Sequence, residues 1–280
     1  MDLQTLKDTP PWDWPKDTGK RLLAILRDRE DTQSDRVLAA ELAGDFTVVD
    51  DEIGSALLSV VRTNDETDDM RATAVLALGP ALEHADTFGF EDPDDIVLSE
   101  KLVHRIQQSL RELYLDPAVP KDVRRSVLEA SIRAPQEWNR DAIRAAYASP
   151  DEAWRLTAVF GMRFVPGFEE QIVEAISSDS PDIRYQAVSA AGNWEIDEAW
   201  PRIEAILGAD PVDKPLYLAA IEAAAAVRPQ AAVPLLTELS TAKDEDIAEV
   251  AFEALAMAEG LAELEEDEDE LDGDDEIWRG

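Results

Sequence analysis

Apolar residues recur along this chain in one repeated frame. The stretches Asp69-Met70-Arg71-Ala72-Thr73-Ala74-Val75, Asp122-Val123-Arg124-Arg125-Ser126-Val127-Leu128 and Ser180-Pro181-Asp182-Ile183-Arg184-Tyr185-Gln186-Ala187-Val188 share Asp-x-Arg. A small or aliphatic residue follows three positions after the arginine, and an aliphatic one four positions after. Arg36 with Ala39-Ala40, and Arg155 with Ala158-Val159, fit the same frame. Tyr217 with Ala220-Ile221, and Ala248 with Ala251-Phe252, keep it without the arginine. Taking 36, 71, 124, 155, 184, 217 and 248 as anchors, the spacings are 35, 53, 31, 29, 33 and 31 residues.

Positions +3, +4 and +7 from the anchor are apolar in most copies, which is one face of a helix at 3.6 residues per turn. Alanine at +3 in six of the seven copies lets a neighbouring helix come close. Ser and Asp ahead of the anchors supply N-cap oxygens, and Pro150 and Pro181 sit where a first-turn proline is tolerated. A second amphipathic segment precedes most anchors, at 53–61, 102–113, 142–148, 172–176, 203–207 and 233–239. Each unit therefore reads as a pair of helices. Strand signals are nearly absent, because Phe46-Thr47-Val48-Val49 is too short to stand as one.

These Asp-x-Arg turns and Ala/Val/Leu-rich second helices resemble the HEAT-repeat α-solenoids. The resemblance covers residues 18–258, and its period is that of the short repeats known from phycobilisome-linked bilin lyases, below the roughly 40 residues of larger HEAT units. It implies an all-α fold, a right-handed α-α superhelix of about seven helical pairs. It also implies a stacked ladder of Asp and Arg along the array: Asp69/Arg71, Asp122/Arg124 and Asp182/Arg184, with Arg36 and Arg155 as looser members. The ladder is expected to fail at 217 and 248. One pair cannot bury both of its apolar faces, so neighbours supply the cover and the ends need caps.

Residues 1–17 form the expected N-terminal cap. Within it Pro10-Pro11-Trp12-Asp13-Trp14-Pro15 reads as a plug of two indoles over the first pair, and alternatively as a proline-rich recognition motif. The 53-residue interval carries an irregular insertion at about 86–98, with Phe88 and Phe90 in an acidic loop. The two rings either anchor a partner or tuck over neighbouring helices. Residues 259–280 hold 12 acidic residues against one arginine. Their like-charge block, 263–276, is expected to be disordered. The apolar pair Ile277-Trp278 at its end either docks somewhere or is a terminus without a role.

Composition narrows the function. At 45% apolar and 31% charged, the 280 residues bury a sizeable core. There is no cysteine, hence no disulfide, thiolate metal site or cysteine nucleophile. The two histidines, His84 and His104, offer little for metal or acid–base work. The formal charge is −36, of which the acidic tail carries −11, leaving −25 over residues 1–258. That argues against nucleic acid, which is bound through an excess of Lys and Arg. The longest weakly apolar stretch, 216–227, is too short and too polar to span a bilayer. Met1-Asp2-Leu3-Gln4 has neither a basic nor an apolar leader region, so a cytoplasmic protein is expected. Seven Lys against 19 Arg with this acid excess fits either a basic partner or a salt-adapted cytosol.

No phosphate loop, Gly-x-Ser-x-Gly, His-Glu-x-x-His or calcium loop occurs. The resemblance raises three enzymatic comparisons. Deoxyhypusine hydroxylases hold iron through repeated His-Glu pairs, which this chain lacks. HEAT-like DNA glycosylases need a basic cleft. Bilin-lyase-like activity, as an enzyme or enzyme subunit, stays open as the alternative. The expectation is a protein without cofactor or metal and with no catalytic residues.

Positions +1 and +5 lie one turn apart on the second helix and vary most. At +5 the series is Glu41, Leu76, Glu129, Phe160, Ser189, Glu222, Glu253; at +1 it is Val37, Ala72, Arg125, Leu156, Tyr185, Leu218, Glu249. In HEAT arrays the second helices line the concave side, so by resemblance this stripe faces a groove. It is acidic toward both ends through Glu41, Glu129, Glu222 and Glu253, with Phe160 and Tyr185 at its centre. Such a groove suits a protein partner with a basic segment and an apolar anchor, held by a monomeric scaffold or adaptor. A solvated face with two misjudged core rings is the alternative.

Overall fold

In five of the seven units a side chain four residues before the anchor caps the second helix. Thr32, Thr67, Asp151 and Asp213 stand there and accept the N–H groups of Asp35 (3.2 Å), Met70 (3.2 Å), Ala153 (3.0 Å) and Leu216 (3.3 Å). Asp244 does the same for Ile247 at 3.3 Å. Each such cap satisfies one of the donors a helix start leaves open, contributing about 1 kcal/mol. Pro120 and Ser180 occupy the same position in the remaining two units, with Pro181 as the first helical residue after Ser180.

The structure is a computed structural model and describes residues 2–277, with side chains described as far as residue 261. In chain order the helices are α1 (Leu3–Lys7), α2 (Thr18–Arg27), α3 (Gln33–Leu42), α4 (Asp51–Arg62), α5 (Asp68–Leu76), α6 (Gly79–Phe88), α7 (Glu100–Leu115) and α8 (Lys121–Ser131). They continue as α9 (Glu137–Tyr147), α10 (Glu152–Gly161), α11 (Glu169–Ala175), α12 (Pro181–Asn193), α13 (Trp200–Leu207), α14 (Lys214–Val227), α15 (Pro229–Leu239) and α16 (Glu245–Ile277). No strand occurs among the described residues. The fold is all-α. Six helical pairs pack along the sequence, α2/α3, α4/α5, α7/α8, α11/α12, α13/α14 and α15/α16; α9 packs on α8, α10 packs on α12, and α1 and α6 stand outside the pairing.

The chain divides into two compact units, Met1–Ser149 and Pro150–Gly280. In the first, the second helices α3, α5 and α8 pack side by side, and the first helices α2, α4 and α7 do the same. In the second, α10, α12, α14 and α16 pack successively, and α11, α13 and α15 lie against them. The +4 residues Ala40, Val75, Leu128, Val159, Val188 and Ile221 are all fully buried, as are Ala39, Ala74, Val127, Ala158, Ala187, Ala220 and Ala251 at +3.

Glycine sets the closest approach between units of the repeat. A Cβ on Gly44 would lie 2.5 Å from the carbonyl oxygen of Ala77, and one on Gly192 would lie 2.9 Å from Cα of Ala223. Both glycines are at +8 and both alanines at +6 of the next copy, so the same crossing recurs in the two units.

The insertion is irregular over residues 89–99, and about half of the extra length is a helix ahead of it, α6, which packs on α7 and α8. Residues 86–88 end that helix, and Gly89 caps it with φ 68°, a left-handed conformation that favours glycine. Residues 91–96 are exposed, and Leu98 is buried. Phe88 is exposed whereas Phe90 packs against the core, so the two rings part ways.

The N-terminal indoles also divide. Trp14 packs on the core and donates its Nε1 hydrogen to the carbonyls of Leu6 (3.0 Å) and Thr9 (2.9 Å). Trp12 is 79% exposed. The fully buried side chain of the cap is Leu6 on α1, which packs on α3. The expectations for 263–276 and for Ile277-Trp278 lie outside the residues whose side chains are described.

Candidate protein-binding surface

The anchor residues serve the fold. Each first helix ends with carbonyl groups that have no partner within the helix. Arg71 Nε donates to the carbonyl of Val61 at 2.9 Å, Arg124 Nε to that of Tyr114 at 2.9 Å, and Arg36 Nη2 to that of Leu26 at 3.3 Å. A cation there also meets the partial negative charge of the helix C-terminus. Tyr217, where the arginine is missing, donates its hydroxyl to the carbonyl of Leu207 at 3.1 Å. The carbonyl bond made by the arginines at other anchors is thus made by tyrosine at 217.

The acids of the ladder are not the expected ones. Asp69, Asp122 and Asp182 are exposed first-turn residues. Their place at a helix start suits solvation and the positive end of the helix dipole. Arg36 instead grips Glu66, 30 residues on, through two bonds of 2.7 Å between nearly buried side chains. That bond is the main reason why the Glu66 carboxyl is held below its ordinary range. Arg184 approaches Asp213 at 3.9 Å, and Lys214 bonds Asp244 at 2.7 Å, each reaching the cap of the next second helix. The ladder thus runs from one unit's basic residue to the next unit's turn. Arg155 is half-buried at the same anchor position.

Positions +1 and +5 stay outside the core, in contrast to +3 and +4. In the first unit the acids of this stripe are answered from within the fold. Glu41 pairs with Lys7 at 3.1 Å, and the half-buried Glu129 pairs with Arg125, the +1 residue of its own helix, at 3.1 Å. Lys7, Thr9, Pro11 and Trp14 face Glu41, Thr73 and Leu76 around an open concavity of about 710 Å³. The first two +5 positions therefore sit opposite the chain's own N-terminal segment.

In the second unit the stripe has a different state. Phe160 on α10 is half-buried and meets Phe164 edge-on, ring centroids 5.2 Å apart. Tyr185 on α12 is 36% exposed. Glu222 on α14 and Glu253 on α16 are exposed, and neither pairs with a base among the described residues. Because α10, α12, α14 and α16 pack in succession, Phe160, Glu222 and Glu253 stand at +5 of their helices and Tyr185 one turn earlier, at +1, on the helix beside Phe160. They form two aromatic rings followed by two solvent-facing carboxylates.

Sequence reasoning missed an exposed aromatic group in the first unit. His84 lies 5.5 Å from the Phe46 ring and 4.6 Å from the Phe88 ring, with both phenylalanines exposed. His84 and Phe88 one turn apart were the available signal. Among the described residues no group of three or more His, Asp or Glu side chains is placed to hold a metal ion. No helix among them is long and apolar enough to cross a membrane.

A family model for HEAT repeats matches residues 169–256, the stretch that holds α11 to α15 and the start of α16. HEAT-like repeats are matched over that stretch. Among solved structures, Escherichia coli YibA is 17% identical with a TM-score of 0.47, over 86% of this chain and 82% of that one. An engineered protein is 15% identical with a TM-score of 0.46, over 74% and 96%. Human deoxyhypusine hydroxylase in complex with glycerol is 17% identical with a TM-score of 0.41, over 92% and 96%. No curated protein matches the chain in sequence.

Proposed function

We propose that the chain is a non-catalytic scaffold whose second-helix stripe in residues 150–261 holds a segment of a protein partner. The partner segment is basic, with an apolar or aromatic side chain that sits on Phe160 and Tyr185 while its cations meet Glu222 and Glu253. One observation carries this reading. The equivalent stripe of the first unit already meets a lysine, Lys7 on Glu41, with an indole, Trp14, across the same concavity. Exposed charge attraction is screened within about 8 Å at physiological salt, so the glutamates set mainly the association rate. Desolvated rings carry most of the affinity. The anchor spacing near 31 residues supports placing the repeats with the short-period kind.

The test is affinity capture with the full chain, read by mass spectrometry, beside the Tyr185→Ala variant and the double variant Glu222→Lys with Glu253→Lys. A partner with a basic segment that is retained by the parent and lost from both folded variants supports the proposal. Equal capture by all three proteins overturns it.

A further inference from the structure

The +4 position lies where each second helix is sealed by its neighbours. It is 0% exposed in six repeats: Ala40, Val75, Leu128, Val159, Val188 and Ile221. In the seventh it is Phe252, and the ring is 68% exposed. The terminal unit of a repeat array stays soluble by turning a polar outer face to water. Here the largest +4 side chain of the series stands on that face instead. Ala256, one turn on, is also exposed, as is Met257 at 49%.

Shape and charge around the ring select the occupant. Glu245, Glu249, Glu253 and Glu259 are all exposed and bracket Phe252 along α16. On a helix at 3.6 residues per turn, Glu245 and Glu259 fall two turns either side of the ring, and Glu249 lies beside it. From Asp244 to Trp278 the sequence contains 17 acidic residues and no lysine or arginine. A second copy of the chain would bring its own α16, and like charges at close range repel. The preceding second helix, α14, has its apolar faces closed by other helices: α12, α13, α15 and α16 cover it. The occupant that matches this shape and charge is another helix, apolar on one face and basic on its flanks.

We propose that the outer face of α16, centred on Phe252 and ringed by Glu245, Glu249, Glu253 and Glu259, docks a basic amphipathic helix of a partner protein. The site shares Glu253 with the Phe160–Tyr185 stripe but goes beyond it, because it uses the +4 position, which is core in every earlier repeat.

The probe is a fluorescein-labelled Leu/Lys peptide with leucines at i, i+3, i+4 and i+7, measured by anisotropy against the full chain. A peptide of equal composition, scrambled to break the helical spacing, reports bare charge attraction. The expected result is at least tenfold tighter binding of the helical peptide than of the scrambled one. Phe252→Ser, which leaves the charge unchanged, should abolish most of that preference without lowering the melting temperature by more than a few degrees. Phe252→Leu should keep it. Equal binding of the two peptides overturns the proposal, and so does an undiminished preference in Phe252→Ser. A large loss of stability in Phe252→Ser shows that the ring is covered within the fold, and sedimentation of the parent as a dimer that this variant splits assigns the face to a second copy. Either result likewise overturns it.

Discussion

Arg71 holds the end of the helix that precedes its own: its Nε donates to the carbonyl of Val61, ten residues earlier, at 2.9 Å. The same ten-residue reach joins Arg36 to Leu26, Arg124 to Tyr114 and Tyr217 to Leu207. The acceptor lies in the last turn of the first helix in every case. A side chain on the second helix thereby supplies a cap to the first helix, and the bond ties the two packed helices together. In these four pairs the anchor of the repeat is a clasp, made by arginine in three and by tyrosine in one.

The two donors predict different losses. Removing a hydrogen bond leaves the carbonyl buried and unpaired, at a cost of about 1 kcal/mol for a neutral donor and about 2 kcal/mol for a charged one. Tyr217→Phe should therefore lower the unfolding free energy by about 1 kcal/mol, and Arg71→Met by about twice that. Urea titration followed by circular dichroism measures both. Equal and negligible losses would show that water caps these carbonyls as well as the side chains do.

Glu66 makes acid stability testable. Its folded pKa is held below the ordinary 4.5, first by hydrogen bonds from Arg36 and then by charge attraction from Arg36 and Arg29. A depressed carboxylate binds its proton more readily in the unfolded chain, so its contribution is present above about pH 4.5 and is lost as pH falls through the lower folded value. The pair is nearly buried, so Glu66→Gln leaves an unanswered guanidinium and should cost about 3 kcal/mol at neutral pH. The gap between parent and variant should close as the pH is lowered below about 4.5. A gap that is constant from pH 7 to pH 3, by urea titration at each pH, would place the stabilisation elsewhere.

How each feature is encoded decides whether it can be read from sequence. The +3, +4 and +7 core is a periodicity of side chains, so the fully buried set from Ala39 to Ala251 was readable position by position. The clasp was not, because its acceptor is a backbone carbonyl, and every residue carries one. The resemblance puts the aspartates two positions before the arginines in the ladder, yet Asp69, Asp122 and Asp182 face water. The acids in fact used, Glu66 and Asp213, lie about thirty residues ahead, where spacing along one helix says nothing. The stripe at +1 and +5 was legible as a face outside the core. That Lys7 would answer Glu41, and Arg125 answer Glu129, depends on a tertiary path and on a choice between rotamers. Phe252 did carry a signal: it is the one aromatic residue at a +4 otherwise held by Ala, Val, Leu or Ile.

The glycine crossings should resist even one added methyl group. At Gly192 the obstacle is backbone, Cα of Ala223 at 2.9 Å, which cannot rotate aside as a side-chain tip does. Gly192→Ala gains some helix propensity but overpacks the α12–α14 contact, with an expected net loss of about 1–3 kcal/mol. Gly44→Ala, with a carbonyl oxygen at 2.5 Å, should lose at least as much. Gly260→Ala is the control, because no atom lies within 4 Å of the new Cβ. It should raise stability by a few tenths of a kcal/mol or leave it unchanged. Thermal melts of the three variants give the order directly, and a neutral Gly192→Ala would show that the helices shift apart freely.

Phe160 and Tyr185 share the stripe but differ in what they support. The Phe160 ring is half-buried and meets Phe164 at an interplanar angle of 62°, an edge-on contact worth about 1 kcal/mol beyond the area it covers. Tyr185 stands further into water, and it is its backbone carbonyl, not its ring, that accepts from Ser189 at 3.1 Å. Phe160→Ala should therefore lower the unfolding free energy by about 1–2 kcal/mol, less than the roughly 3–5 kcal/mol of a fully buried ring. Tyr185→Ala should stay within about 0.5 kcal/mol of the parent. On a captured partner the order reverses for interpretation: a loss with Tyr185→Ala reports contact, because the fold is untouched, whereas a loss with Phe160→Ala mixes contact with packing. If Tyr185 is a hot spot, its truncation should speed dissociation by about thirtyfold, on the order of 2 kcal/mol, with little change in association rate. Surface plasmon resonance on the captured partner separates the two rates, and an unchanged dissociation rate would remove Tyr185 from the contact.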